Sequence, residues 1–136
     1  MKIKLLLSTL IIAVLVLAGC STDEDSVKPG EEFSLGIGER AAIAGENLEI
    51  EFLEVIEDSR CPKDVTCVWE GRARCLVQFR TGDTTEKVEL AEPGLSDDGS
   101  GQTWNEYRIT FSLMPYPEST VETKPGDYRL HLTISK

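Results

Sequence analysis

The chain has 136 residues, with 24 acidic against 14 basic side chains and a formal charge of −10. That length allows one small domain and little more. The acidity argues against nucleic acid and anionic lipid as partners, since both are bound through clustered Lys and Arg, and its simplest consequence is solubility.

The chain opens on Lys2 and Lys4, runs through the apolar stretch from Leu5 to Ala18 and ends that stretch on Gly19 and Cys20. A basic start, a short apolar core and small residues before a cut site predict a secretory signal over residues 1–19, too short for a comfortable membrane span. The tetrapeptide Leu17-Ala18-Gly19-Cys20 resembles a bacterial lipoprotein lipobox. That resemblance implies lipidation of the Cys20 thiol with fatty-acyl chains such as palmitate, and cleavage that makes Cys20 the N-terminus. Loss of Lys2 and Lys4 leaves 12 basic against 24 acidic residues, a formal charge of −12. Several acyl chains exceed what stable anchoring requires, so the expected location is the extracytoplasmic face of a cell-envelope membrane.

Residues 20–32 follow, with five acids, a proline, a glycine and Val27 as the lone aliphatic residue after the lipidated position. Such a segment buries too little apolar surface to offset its ordering entropy, and it reads as a flexible acidic tether. From Phe33 to Lys136 the apolar residues alternate with polar ones. Phe33, Leu35 and Ile37 do so, then Leu48, Ile50 and Phe52, then Ala73, Cys75, Val77 and Phe79. Val88 and Leu90 repeat the pattern, as do Tyr107 to Leu113 and Tyr128 to Ile134. Period two is the mark of strands with one face on a core and the other in water. Turn signals lie at Ala44–Asn47, Thr81–Asp83, Glu92–Gly101 and Lys124–Asp127. Six or seven short strands in a single domain over 33–136 predict an all-β, antiparallel β-sandwich, with a small barrel as the alternative.

The stretch SRCPKDVTCVWEG, Ser59 to Gly71, falls between two strand patterns. With Cys20 lipidated, three cysteines remain outside the cytoplasm, where disulfides persist. Cys61 and Cys67 share the connection, whereas Cys75 lies on the apolar parity of Ala73, Val77 and Phe79. The expected pairing is Cys61 with Cys67, leaving Cys75 buried and unreactive. Asp58, Arg60, Lys63, Asp64 and Trp69 form a candidate binding loop. Arg60 beside a disulfide could mimic the scissile position of a protease inhibitor, against the plainer reading of a surface ion pair with Asp58 or Asp64. Trp69 shares parity with the Ala73 to Phe79 strand, which puts it on the core side if the strand begins that early, and otherwise makes it an interface anchor.

Catalytic readings find few partners. The cysteine spacing is not that of a redox dithiol, the sole histidine, His131, sits on a polar strand face, and Ser96–Gly101 lacks the pattern of a calcium loop. No Gly-x-Ser-x-Gly elbow occurs and no spacing singles out a pair of acids. A non-enzymatic binding or interaction module with no cofactor and no metal is therefore expected, acting on an envelope protein or ligand. A protease inhibitor presenting the Cys61–Cys67 loop is the alternative, followed by an envelope hydrolase.

The run Asp58-Ser59-Arg60-Cys61-Pro62 with Val65, Cys67, Trp69, Gly71 and Ala73 resembles a signature of small prokaryotic lipoproteins and secreted proteins. Met114-Pro115-Tyr116-Pro117 and the closing strand after Tyr128 fit it as well, while Cys75 departs from the aliphatic residue expected there. The resemblance implies a secreted all-β module and no established activity.

Overall fold

The computed structural model describes residues 26–94 and 100–136. The expected signal peptide, the lipobox with Cys20, the start of the tether and the middle of the Glu92–Gly101 run lie outside the described residues. Among the described residues nine strands form two sheets packed face to face. The first sheet has the order β1-β3-β4-β5-β6, from β1 (Ser26–Val27), β3 (Arg40–Ile43), β4 (Leu48–Asp58), β5 (Arg72–Thr81) and β6 (Thr84–Pro93). The second has the order β2-β9-β8-β7, from β2 (Glu32–Gly36), β9 (Arg129–Ser135), β8 (Tyr107–Met114) and β7 (Ser100–Trp104). All pairings are antiparallel except β1 with β3. The architecture is an open β-sandwich, as the alternation predicts, and not a closed barrel.

The period-two residues meet between the sheets. Ile50, Phe52, Val77, Phe79 and Leu90 of the first sheet, with Ile109 and Leu130 of the second, are wholly buried. Apolar side chains on one parity of each strand leave water together while the backbone pairs within each sheet, so both requirements are met by one packing. Trp104 closes the core over Phe79, ring centroids 4.2 Å apart and nearly parallel.

Strand pairing begins at Ser26–Val27, within the stretch expected as tether and before the boundary drawn at Phe33. Two residues suffice because Val27 packs against the core and Ala44 donates to its carbonyl. The strands β3 and β7 were not among those expected: β3 has only four residues, and β7 begins inside the expected turn run. Ile37 lies beyond β2 and is exposed rather than continuing the alternation of Phe33 and Leu35.

The sandwich has two ends. At one, the turns Ala44–Asn47, Gly82–Asp83 and Asn105–Glu106 gather with Lys136. At the other, β4 runs out at Asp58, the cysteine connection leads to β5, and β8 hands over to the 115–128 connection. The second end carries the candidate site.

Candidate functional site

The inward parity of β4 is interrupted twice, by register shifts between Phe52 and Glu54 and between Val55 and Glu57. Two one-residue shifts cancel, so Asp58 returns to the inward side and lies opposite Ala73. Ala73 in turn faces Glu92 on β6. Asp58, Ala73 and Glu92 thus form one row across three strands, with a carboxylate on either side of a small residue on the core face. Arg60 bridges the two carboxylates.

Arg60 is 3% exposed. Its Nε and Nη2 donate to the two oxygens of Asp58, both at 2.8 Å. Nη1 donates to the Leu113 carbonyl at 2.7 Å and lies 3.6 Å from Glu92 Oε2, while Nη2 also reaches the Pro115 carbonyl at 3.2 Å. The guanidinium lies 4.8 Å from the centroid of the Tyr116 ring. Tyr128 donates to Asp58 at 3.2 Å, and the Leu113 N–H donates to Glu92 at 2.9 Å. A single side chain therefore pins the cysteine connection to the ends of β4, β6 and β8.

Burial sets the ionisation of this cluster. It pushes the Glu92 carboxyl above its ordinary range, against the pull of the Leu113 N–H and of Arg60. Burial likewise carries the Cys75 thiol up to about 12, helped by Glu92, so that thiol is inert. The Tyr128 hydroxyl also rises to about 12, first from burial and then from the Asp58 charge.

Above the cluster the connection is a closed structure rather than a loose excursion. Ser59 N donates to Arg72 O at 2.8 Å and Cys61 N to Glu70 O at 3.1 Å, extending the β4–β5 ladder past its last paired residues. Cys61 and Cys67 form the expected disulfide, their Cα atoms 5.9 Å apart. Gly71 has φ +68°, and a Cβ there would stand 1.8 Å from the Ser59 carbonyl oxygen. A Cβ on Gly94 would meet the Glu70 carbonyl oxygen at 1.8 Å, and Gly94 N donates to Gly71 O at 3.1 Å. Three backbone segments touch at this point with no room for side chains. The 115–121 segment braces the outer side: Lys63 N donates to Pro117 O at 3.0 Å, Ser119 N to Asp64 at 2.8 Å, and the Lys63 ammonium pairs with Glu118.

The five candidate residues separate accordingly. Asp58 and Arg60 belong to the interior. The expected ion pair of Arg60 with Asp58 is present, but inside the domain rather than on its surface, and the enclosed guanidinium is not displayed as a scissile-site mimic. Lys63 and Asp64 are exposed but engaged with the 115–121 segment. Trp69 is 70% exposed and does not pack in the core. Its parity with Ala73 carries no weight, since β5 begins at Arg72 and the left-handed Gly71 breaks the alternation.

Sequence reasoning missed Glu92, taken as part of a turn run, together with Tyr116, Tyr128 and the two carbonyls of the β8 end. Parity could not have found this cluster, because the two register shifts break the alternation before Asp58, and Arg60 lies past the end of β4.

Seven large hydrophobic side chains stand exposed among the described residues, and six of them lie at or near this end: Ile56, Val65, Val68, Trp69, Met114 and Val121. Val68 is the extreme at 96% exposure. Among the described residues no group of three or more His, Cys, Asp or Glu is placed to hold a metal ion, and no helix is long and apolar enough to cross a membrane. No protein-family model matches the chain, nor does any curated protein or solved structure.

Proposed function

We propose that the protein is a cell-envelope lipoprotein, held at the extracytoplasmic face by lipid on Cys20, whose domain is a non-enzymatic interaction module. The contact surface is the end of the sandwich that carries the cysteine connection. The observation behind this reading is the gathering of exposed apolar side chains there, on backbone braced by a disulfide and a buried arginine. Exposed apolar clusters with polar rims mark interaction sites, and a rigid loop loses little entropy when it docks. An inhibitor reading based on Arg60 loses its key residue to the interior.

Two experiments test the two halves. Metabolic labelling with a fatty acid should mark the parent and not Cys20→Ser; label retained in the variant would remove the anchor. A photo-crosslinking residue at Val68 should give adducts with an envelope component, whether protein or lipid, in intact envelopes, whereas one at Asp83, on the opposite end, should give none. Equal patterns from the two positions would sink the surface assignment.

A further inference from the structure

We infer that the apolar end rests on the same bilayer that carries the Cys20 lipid, with Val68 and Trp69 lodged among zwitterionic headgroups. This deepens the lipoprotein reading and depends on it. The tether supplies the geometric argument. Ser26 pairs with Ala42, which pairs with Glu49, so the chain joins the first sheet at the level of Glu49. Glu49 pairs with Arg80 and Asp58 with Ala73, and the ladder continues to Glu70 at the base of the tip. The tip therefore lies about 30 Å from the level of Glu49. The six residues from Cys20 to Ser26 reach about 20 Å at most. A domain standing upright on its apolar tip would hold Ser26 beyond the reach of the anchor. Leaning at about 40° or less to the surface, it satisfies the anchor and the tip together. Because the anchor keeps the tip beside the membrane at high effective concentration, a weak contact is enough.

Chemistry favours the same end. Tryptophan, with an apolar body and one N–H, partitions to membrane interfaces. The 59–71 connection has two cations and two acids: Arg60 is enclosed, Lys63 is paired with Glu118, and Asp64 is held by Ser119, which leaves Glu70 at the rim. Within the connection itself no unpaired cation is left to recruit anionic lipid. The opposite end presents Glu46, Asp83 and Glu106 against Lys136, and it offers no large exposed hydrophobic side chain among the described residues. Irregular backbone does not enter the hydrocarbon core exposed to lipid, so the contact is confined to the headgroup layer.

The test uses the full-length lipidated protein in phosphatidylcholine vesicles containing lipids brominated at either shallow or deep acyl positions. Subtracting the emission of Trp69→Phe from that of the parent isolates Trp69, because Trp104 is buried on Phe79. Shallow bromines should reduce the Trp69 component about two-fold and deep bromines much less, as befits an interfacial indole. Val68→Asp should abolish this quenching while the protein still floats with the vesicles. Flotation without quenching of Trp69 would overturn the bilayer contact and leave a surface free for a protein partner. Loss of flotation would overturn the anchor and the contact together. Stronger quenching after phosphatidylglycerol replaces part of the phosphatidylcholine would overturn the zwitterionic assignment.

Discussion

The two ends of the sandwich both carry charge networks, yet they are built in opposite senses: one is closed by short turns and the other by the long 59–71 and 115–128 connections. At the polar end, Glu46 accepts from Tyr107 at 2.8 Å and from Lys136 at 3.3 Å, and Lys136 also pairs with Glu106 at 2.8 Å. These groups are partly or largely in water, where an ion pair contributes little. At the cysteine end the usual partition is inverted: arginine, aspartate and glutamate lie inside, and tryptophan, valine and methionine face out. The polar end needs only turns to close it. The cysteine end is held by a desolvated charge cluster, and that leaves its surface free to be apolar.

The comparison can be broken most sharply at Arg60. Arg60→Ala leaves Asp58 and Glu92 buried without their cation and should cost about 3–5 kcal/mol by chemical denaturation. Lys136→Ala, its counterpart at the polar end, should leave the midpoint unchanged. Equal effects from the two variants would mean that the ends do not differ as described.

The two tryptophans give a second contrast of similar size. Trp104→Ala should cost about 3–5 kcal/mol as a large core truncation. Trp69→Ala should stay within about 0.5 kcal/mol of the parent, as surface changes do. A strongly destabilised Trp69→Ala domain would place that indole in the fold rather than on a contact surface.

Removing the disulfide by Cys61→Ser with Cys67→Ser should have a smaller effect, about 2 kcal/mol from the lost closure of a short loop in the chain-entropy model. A loss near that of Arg60→Ala would show that the disulfide, not the arginine, organises this end.

The subtlest contrast is in pH. The Tyr107 hydrogen bond and then Lys136 hold Glu46 below its ordinary value, so the stability it contributes is present above that value and is lost as pH falls through its folded-state pKa. Burial holds Glu92 above its ordinary value, so its contribution is full below that value and is lost as pH rises through its folded-state pKa. Carboxyl carbon NMR titration should find the two midpoints on opposite sides of 4.5. Glu92→Gln should flatten the decline in stability on the alkaline side of that point. A Glu92 midpoint below 4.5 would contradict its burial.

Strand periodicity made the sandwich legible, since each face of a two-sided strand is written in alternate residues, and Phe52, Val77 and Leu130 follow it directly. It failed where strands are too short to show a period, as in β1 and β3. It also failed beyond strand ends: Trp69 lies past a glycine with positive φ, where parity has no meaning. The disulfide was legible from parity and from the connection that Cys61 and Cys67 share, because Cys75 belongs to the core row. The arginine cluster was not, because Glu92 and the carbonyls of Leu113 and Pro115 are 21 to 55 residues away from their partners. Polar side chains carry no periodic mark to announce such meetings.

The contact of backbone on backbone at Gly71 and Gly94 separates the base of the loop from its tip. Side chains cannot be added at the base, where three chain segments already touch, whereas residues 65–69 project beyond it and contribute little to packing. Apart from Cys67, which closes the disulfide, their identities can change without disturbing what holds them. The same frame can thus carry a different recognition sequence between the same clamps, which makes this end of the domain a natural display scaffold, open to variation by selection or by grafting.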